Sequence, residues 1–392
     1  MDYIFADRVN TLQPSVIREI LKFTSVPGMI SFAAGNPAPE AFPTEKLQEI
    51  SRKIFEERPI DALQYSVTEG YNPLKEAIKN RYSELFNDYD QIIITTGAQQ
   101  VMELATKSLC NEGDVIICEA PTFIGSLNAF RSYNTKLVGI PMENDGMDIN
   151  ALENALKENK NVKFIYCIPN FQNPSGIVTS LEKRRAIYDL AKKYGTMILE
   201  DNPYGETRFE GEHIATIKSM DTDGIVIYAG TFSKVISPGM RVGYAIAPAP
   251  VITKMTVCKQ VSDVHTNIFA QLLVHEFMTG ADYDKHLEHI SAVYRKKSSL
   301  MTSLIDSELV PYGVEYVKPE GGLFIWCTLP EKIDMLAFSK EAVQRNVAVV
   351  PGNAFLVDES QQCSCIRLNF STPTDEQIEK GMKVLGKLIS EY

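Results

Sequence analysis

Short apolar runs alternate with helix-length amphipathic segments through the middle of this chain, and that alternation leaves few folds open. Gln91 to Thr95, Asp114 to Glu119, Lys163 to Ile168, Thr196 to Asp201 and Gly224 to Ala229 are each brief, apolar and rich in β-branched residues, and each reads as a buried strand. Between the first two, Gln99 to Cys110 places Val101, Met102, Leu104, Ala105 and Leu109 on one helical face. Thr179-Ser180-Leu181-Glu182 reads as a capping box that opens another helix, and Gly195 stops it. Strands and helices in this order predict a mostly parallel sheet covered by helices on both faces. A long helical pattern around His286 then leads away from it. Gly322 to Trp326 and Ile366 to Phe370 read as strands of a smaller α+β domain, and a helix from Thr374 to Ile389 closes the chain. The resulting division is an N-terminal arm over 1–45, a large domain over 46–285 and a small domain over 286–392.

The 392 residues exceed what one hydrophobic core holds, and 44% hydrophobic with 23% charged residues is an ordinary globular composition. A net charge of −11 argues against a nucleic-acid surface. No apolar run approaches the ~18 residues of a membrane span, and the first residues lack a signal peptide's layout, so the expected location is cytoplasmic. Seven scattered cysteines read as buried thiols in a reducing compartment. No metal site is expected: Cys363 and Cys365 have no second pair, and His286 and His289 read as a solvated helix face.

Chemistry concentrates at Gly230-Thr231-Phe232-Ser233-Lys234, with Pro238-Gly239-Met240-Arg241 just beyond. Lys234 falls past the end of a buried strand, where open α/β sheets bind ligands. A lone loop lysine is ordinarily solvated. An amine held out of water there, however, can lose enough basicity to bond an aldehyde. Arg241, Thr231 and Ser233 together offer what a phosphate needs. Asn173 and Asp201 follow neighbouring strands, and parallel strands bring all of these to one edge. Pro203 turns Tyr204 back toward it. The turn at Gly97-Ala98-Gln99 opens a helix whose free N–H groups suit a phosphate, and Phe123 could stack on a ring. Singly, each has a plainer reading as a turn, a cap or a core residue.

The ordered set Ser31-Phe32-Ala33-Ala34-Gly35-Asn36-Pro37, Gln64-Tyr65-Ser66, Thr96-Gly97-Ala98-Gln99-Gln100, Pro169-Asn170-Phe171-Gln172-Asn173-Pro174-Ser175-Gly176, Glu200-Asp201-Asn202-Pro203-Tyr204, the lysine motif, Pro319-Glu320-Gly321-Gly322 and Ile366-Arg367-Leu368 resembles the fold-type I, class I/II pyridoxal-phosphate aminotransferases over essentially the whole chain. The resemblance is greatest to the α-aminoadipate and kynurenine branch and to the aminotransferase-like halves of certain bacterial regulators. It implies that Lys234 bonds the cofactor aldehyde and Asp201 faces the ring nitrogen, while Asn173 and Tyr204 meet the ring's phenolic oxygen. It also implies that Arg241, Thr231, Ser233 and the turn at Gly97, Ala98 and Gln99 hold the phosphate, with Tyr65 arriving from a partner subunit of a homodimer. Arg367 would grip the substrate carboxylate, beside Asn173 and Gly35. Relatives often carry tyrosine at Phe123 and serine at Ala98. Where aminoadipate enzymes carry a substrate-reading arginine in the arm, this chain has Thr11, with Arg8 and Arg18 nearby. The activity expected is transamination between an L-amino acid and a 2-oxo acid, with 2-oxoglutarate as acceptor. A lyase on the same fold and a cofactor-binding regulatory module are the alternatives.

Overall fold

The computed structural model describes residues 3–10, 12, 27–280 and 282–392. In chain order its strands are β1 (Ile30–Ser31), β2 (Asp90–Thr95), β3 (Val115–Ala120), β4 (Lys136–Glu143), β5 (Gly146–Met147), β6 (Val162–Cys167), β7 (Met197–Asp201), β8 (Val226–Thr231), β9 (Gly243–Pro248), β10 (Glu315–Tyr316), β11 (Phe324–Thr328), β12 (Val347–Ala348), β13 (Val350–Pro351) and β14 (Cys365–Asn369). Eight of them form one sheet in the order β2-β9-β8-β7-β6-β3-β4-β5. β4, β3, β6, β7 and β8 are mutually parallel, and β9 runs against both of its neighbours. The reversal has a simple cause, since residues 232–242 are too few for the helical crossover of about a dozen residues or more that a parallel strand needs.

Both faces of this sheet are covered, which is why its strands read as continuous apolar runs. In β6 the alternation of side chains sends Phe164 and Tyr166 into one core and Ile165 and Cys167 into another. The helix Ala98–Leu109 buries the five-residue face expected of it in part, with Leu109 at the margin. The helix Leu181–Tyr194 ends on Gly195 at φ 67° as expected, but its start differs from the sequence reading. Thr179 stays outside the helix, its N–H donating to Pro169 O and its carbonyl accepting from Arg184 Nε at 2.9 Å. The cap is therefore Ser180, whose Oγ accepts from Lys183 N, and Glu182 falls one place too early to close a capping box.

A smaller sheet, β10-β11-β14-β13, is reached through the 26-residue helix Tyr283–Glu308. β1 pairs in parallel with β12, which ties residues near the N-terminus to this C-terminal part. The closing helix Asp375–Ser390 carries the reciprocal Thr374–Gln377 capping box. The solvated-face reading holds for His289, which is exposed, but needs correction for His286. His286 is half-buried, packs edge-on against Phe277 and bonds Val235 O, because its helix lies against the loop that carries Lys234. His289 bonds Glu40 O at 3.0 Å.

Candidate active site

A cleft of about 390 Å³ opens at the carboxyl ends of β6, β7 and β8, and its far wall comes from the smaller sheet. The topology accounts for its contents. Asp201 is the last residue of β7, Lys234 lies just past β8, and Asn173 sits in the loop after β6, so three parallel strands deliver three side chains to one edge. Ala98, Gln99, Phe123, Tyr204, Thr231, Ser233, Arg241, Gly35 and Arg367 complete the wall.

Lys234 Nζ donates to Gly35 O at 2.8 Å and has no carboxylate within ion-pair distance among the described residues. Burial, followed by the positive charges of Arg367 and Arg241, pushes its amine down to about 8, with Asp201 opposing. Asp201 is buried; Oδ2 accepts from Tyr166 Oη at 2.9 Å, and Oδ1 has no partner. Burial lifts this carboxyl to about 7, against the Tyr166 hydrogen bond and the charge of Lys234. An unpaired buried carboxylate oxygen is costly to leave unsatisfied. A protonated ring nitrogen lying in the cleft would supply both the missing hydrogen bond and the missing charge.

Arg367, in the middle of β14, pairs in register with Trp326 and Val350, and its side chain projects into the cleft wall. Nη1 donates to Asn173 Oδ1 at 3.0 Å and Nη2 to Ala33 O at 2.7 Å, while Nε is buried without a partner. The guanidinium lies 4.2 Å from the ring centre of Phe324 and 5.0 Å from that of Phe355. No acid pairs with it among the described residues. Burial lowers it to about 10, so it stays charged at neutral pH. A buried guanidinium with an idle N–H and no counter-ion is a receptor for a carboxylate. Because Asn173 Oδ1 is taken by Arg367, its NH₂ is what remains to donate into the cleft. Tyr204 is buried edge-on to Phe324, and burial holds it as a neutral phenol.

At the other end, Gly97 caps the helix Ala98–Leu109 at φ 75°. A Cβ there would stand 2.3 Å from Arg241 Nη2, so only glycine allows the guanidinium to lie across the turn. Arg241 Nη2 donates to Thr96 O at 3.2 Å. The Ala98 and Gln99 amides precede the first intrahelical bond, from Gln100 N to Gly97 O. Thr231 Oγ1 donates to Ser233 Oγ at 2.9 Å beside them. Free amides, a guanidinium and two hydroxyls at a helix N-terminus suit a dianion.

Two expected residues stand apart from this wall. Gly97 shapes it without lining it. Tyr65 is 82% exposed, packs edge-on to His265 and lines a separate surface hollow. Thr11 and Arg18 lie outside the described residues. Other residues gave no sequence signal. Tyr166, inside an apolar strand, bridges Asp201 and Ser126, whose Oγ donates to it at 2.8 Å. Glu119, buried and lifted by that burial to about 8, accepts from Ile168 N and Gln172 Nε2 and so fixes the loop bearing Asn173. A hydroxyl or acid in a buried run needs a partner, but sequence alone does not say which.

The family profile Aminotransferase class I and II matches residues 27–385. The chain is 40% identical over 401 residues to aromatic-amino-acid aminotransferase 1 of Thermococcus litoralis, covering 100% of this chain and 95% of that protein. Pyrococcus horikoshii kynurenine aminotransferase, solved with PMP, KYN and KYA, is similar with TM-score 0.94 and 36% identity over 99% of this chain and 97% of that one. The α-aminoadipate aminotransferase of Thermus thermophilus, complexed with N-(5'-phosphopyridoxyl)-L-leucine, is similar with TM-score 0.91 and 35% identity over 99% and 97%.

Proposed function

From the premise that this chain belongs to the class I and II aminotransferases, a family of fold-type I enzymes that transfer amino groups between amino acids and 2-oxo acids with pyridoxal phosphate, we propose how its own residues carry that reaction. The observation that carries the assignment is the unpartnered, buried Oδ1 of Asp201 in the same cleft as the weakened base Lys234. When bound, pyridoxal phosphate supplies an electron sink for charge developing at the substrate's α-carbon. Lys234 would hold it covalently through the amine and, once displaced by substrate, move a proton off the α-carbon and back. Asp201 would stay ionised opposite the ring nitrogen and keep it protonated. Tyr204 Oη and the Asn173 NH₂ would donate to the phenolic oxygen, and Phe123 would stack on the ring. Arg241, Thr231, Ser233 and the Ala98 and Gln99 amides would hold the phosphate. Arg367, using Nε and an Nη, would take the α-carboxylate as a bidentate pair beside Asn173 and Gly35 and so orient the C–H bond to be broken.

The proposed acceptor is 2-oxoglutarate, and the proposed assembly is a homodimer. Ile60, Leu63, Tyr65 and Val67 form an exposed apolar stretch, which a second copy would cover while Tyr65 reaches that copy's phosphate. No helix among the described residues is long and apolar enough to cross a membrane, and all seven cysteines are free, which supports the proposed cytoplasmic location. A panel of aromatic amino acids, kynurenine and 2-aminoadipate, read through the cofactor's visible spectrum, tests this reading. At least one donor should convert the spectrum and 2-oxoglutarate should restore it. Donor-driven loss of ammonia or carbon dioxide with no restoration would favour the lyase.

A further inference from the structure

Behind the helix N-terminus proposed to hold the phosphate lies a polar network that the chemistry above does not use. Lys259 is fully buried, and its Nζ donates to both oxygens of Asp263 at 2.8 Å and to Gln100 Oε1 at 2.6 Å. Asp263 Oδ2 also accepts from Thr96 Oγ1 at 2.7 Å and from Gln100 Nε2 at 2.9 Å. Gln100 in turn accepts from Thr96 N at 2.8 Å. Thr96 is thus gripped by its hydroxyl and its N–H, and its carbonyl is the group that receives Arg241 Nη2. With the Thr96 hydroxyl committed to Asp263, the Thr266 hydroxyl donates to Thr96 Oγ1 at 3.2 Å. Burial opposes ionisation of Asp263, but the hydrogen bonds from Lys259, Thr96 and Gln100 outweigh it and hold the carboxyl below its ordinary range.

The next residues run to the surface. Val264, β-branched, sits at φ 65°, a conformation that persists only where its surroundings impose it. They do: Asp263 and Thr266 both bond Thr96, and His265 accepts from Ser66 N at 3.3 Å through Nε2 while donating through Nδ1 to Thr266 O at 2.9 Å. His265 also meets the ring of Tyr65.

We propose that Asp263 is a positioning residue for the phosphate end of the site: it sets the Thr96–Gly97 turn, and with it Arg241 and the open amides, and through Val264 and His265 it ties that turn to the segment carrying Tyr65. The inference rests on the reading that the phosphate binds at Arg241, Ala98 and Gln99. Asp263 itself touches no ligand. Its loss should therefore weaken recognition of the phosphate and leave recognition of the ring unchanged.

The test compares the full chain loaded with pyridoxal 5'-phosphate or with phosphate-free pyridoxal, reading dissociation constants from visible absorbance and the bound phosphate from its ³¹P resonance. Asp263→Asn should weaken the phosphate form about tenfold, the order expected for losing a charge-assisted hydrogen bond, and shift the resonance, with pyridoxal affinity changed less than about twofold. Because that variant leaves Lys259 buried beside a neutral amide, Thr96→Val serves as the second probe. It is nearly isosteric, keeps the Lys259–Asp263 pair, and should show the same selective loss. Arg241→Gln tests the underlying reading. If it loses no selectivity for the phosphate form, the phosphate is bound elsewhere and both ideas fail. If Arg241→Gln does lose it, while Asp263→Asn and Thr96→Val weaken both aldehydes equally or neither, the positioning role alone is overturned.

Discussion

Lys234 was identifiable from its setting between small hydroxyl residues after an apolar run, and Asp201, Arg241 and Arg367 were expected in the same site; the burial that mainly sets its basicity was not legible in the sequence. Arg367 comes from the small sheet, Arg241 from beyond β8 and Asp201 from β7, and burial is the largest influence among them. Its neutral amine is the form that attacks an aldehyde, and its protonation equilibrium lies near 8 rather than 10.5. Capture of pyridoxal by the cofactor-free chain should therefore rise with pH through a midpoint near 8 and level off about a unit above it, and Lys234→Ala should leave no borohydride-reducible link. A rise centred near 10.5, or a label on another lysine, would remove Lys234 from this role. Asp201→Asn keeps the shape but not the charge opposite the ring nitrogen. Rapid-mixing absorbance should show proton abstraction slowed about a hundredfold or more, while cofactor affinity falls much less. Equal losses would make Asp201 structural. Arg367→Lys keeps the charge without the fork, so amino-acid affinity should drop about tenfold or more with the cofactor spectrum unchanged. Unaltered affinity in a folded variant would exclude the carboxylate contact.

At the scale of elements, periodicity located five of the eight strands of the large sheet to within a residue or two, because both of their faces are buried and the apolar run is continuous, whereas β4, β5 and the antiparallel β9 were not read from the sequence. Boundaries were less legible. The start of the helix Leu181–Tyr194 is decided by Pro169 O and Arg184 Nε, partners distant in sequence or on the next turn, which hold Thr179 outside the helix. The turn before Ala98–Leu109 couples element to site. Gly97→Ala would force a side chain into φ 75° against Arg241 Nη2, so it should cost about 2 kcal/mol of stability and loosen the phosphate end. Thermal melting and cofactor titration together check this. A variant that melts normally and binds cofactor normally would mean that Arg241 can move aside freely.

For the whole molecule, Tyr65 is the informative residue: within one chain it is exposed and lines a hollow separate from the cleft, and the proposed homodimer would let a second copy bring it there. Mixing Tyr65→Phe subunits with Lys234→Ala subunits should yield heterodimers holding one doubly altered and one unaltered site. At limiting cofactor, the mixture should outperform either parent. A monomer by sedimentation, or verified subunit exchange without recovery, would end the shared-site proposal.

The sequence by itself determined the fold class, five parallel or edge strands of the large sheet, the order of their loops along the chain and the residue types that chemistry requires, because alternating burial and local turn residues are written in neighbouring positions. Tertiary structure alone decided the rest. The open oxygen of Asp201, the partnership of Tyr166 with it, the Nε of Arg367 left without an acceptor and the grip of Asp263 on Thr96 all arise between residues far apart in the chain. Pattern along a chain reports burial; which polar groups meet there, and which are left waiting for a ligand, depends on distances that only the packed molecule sets.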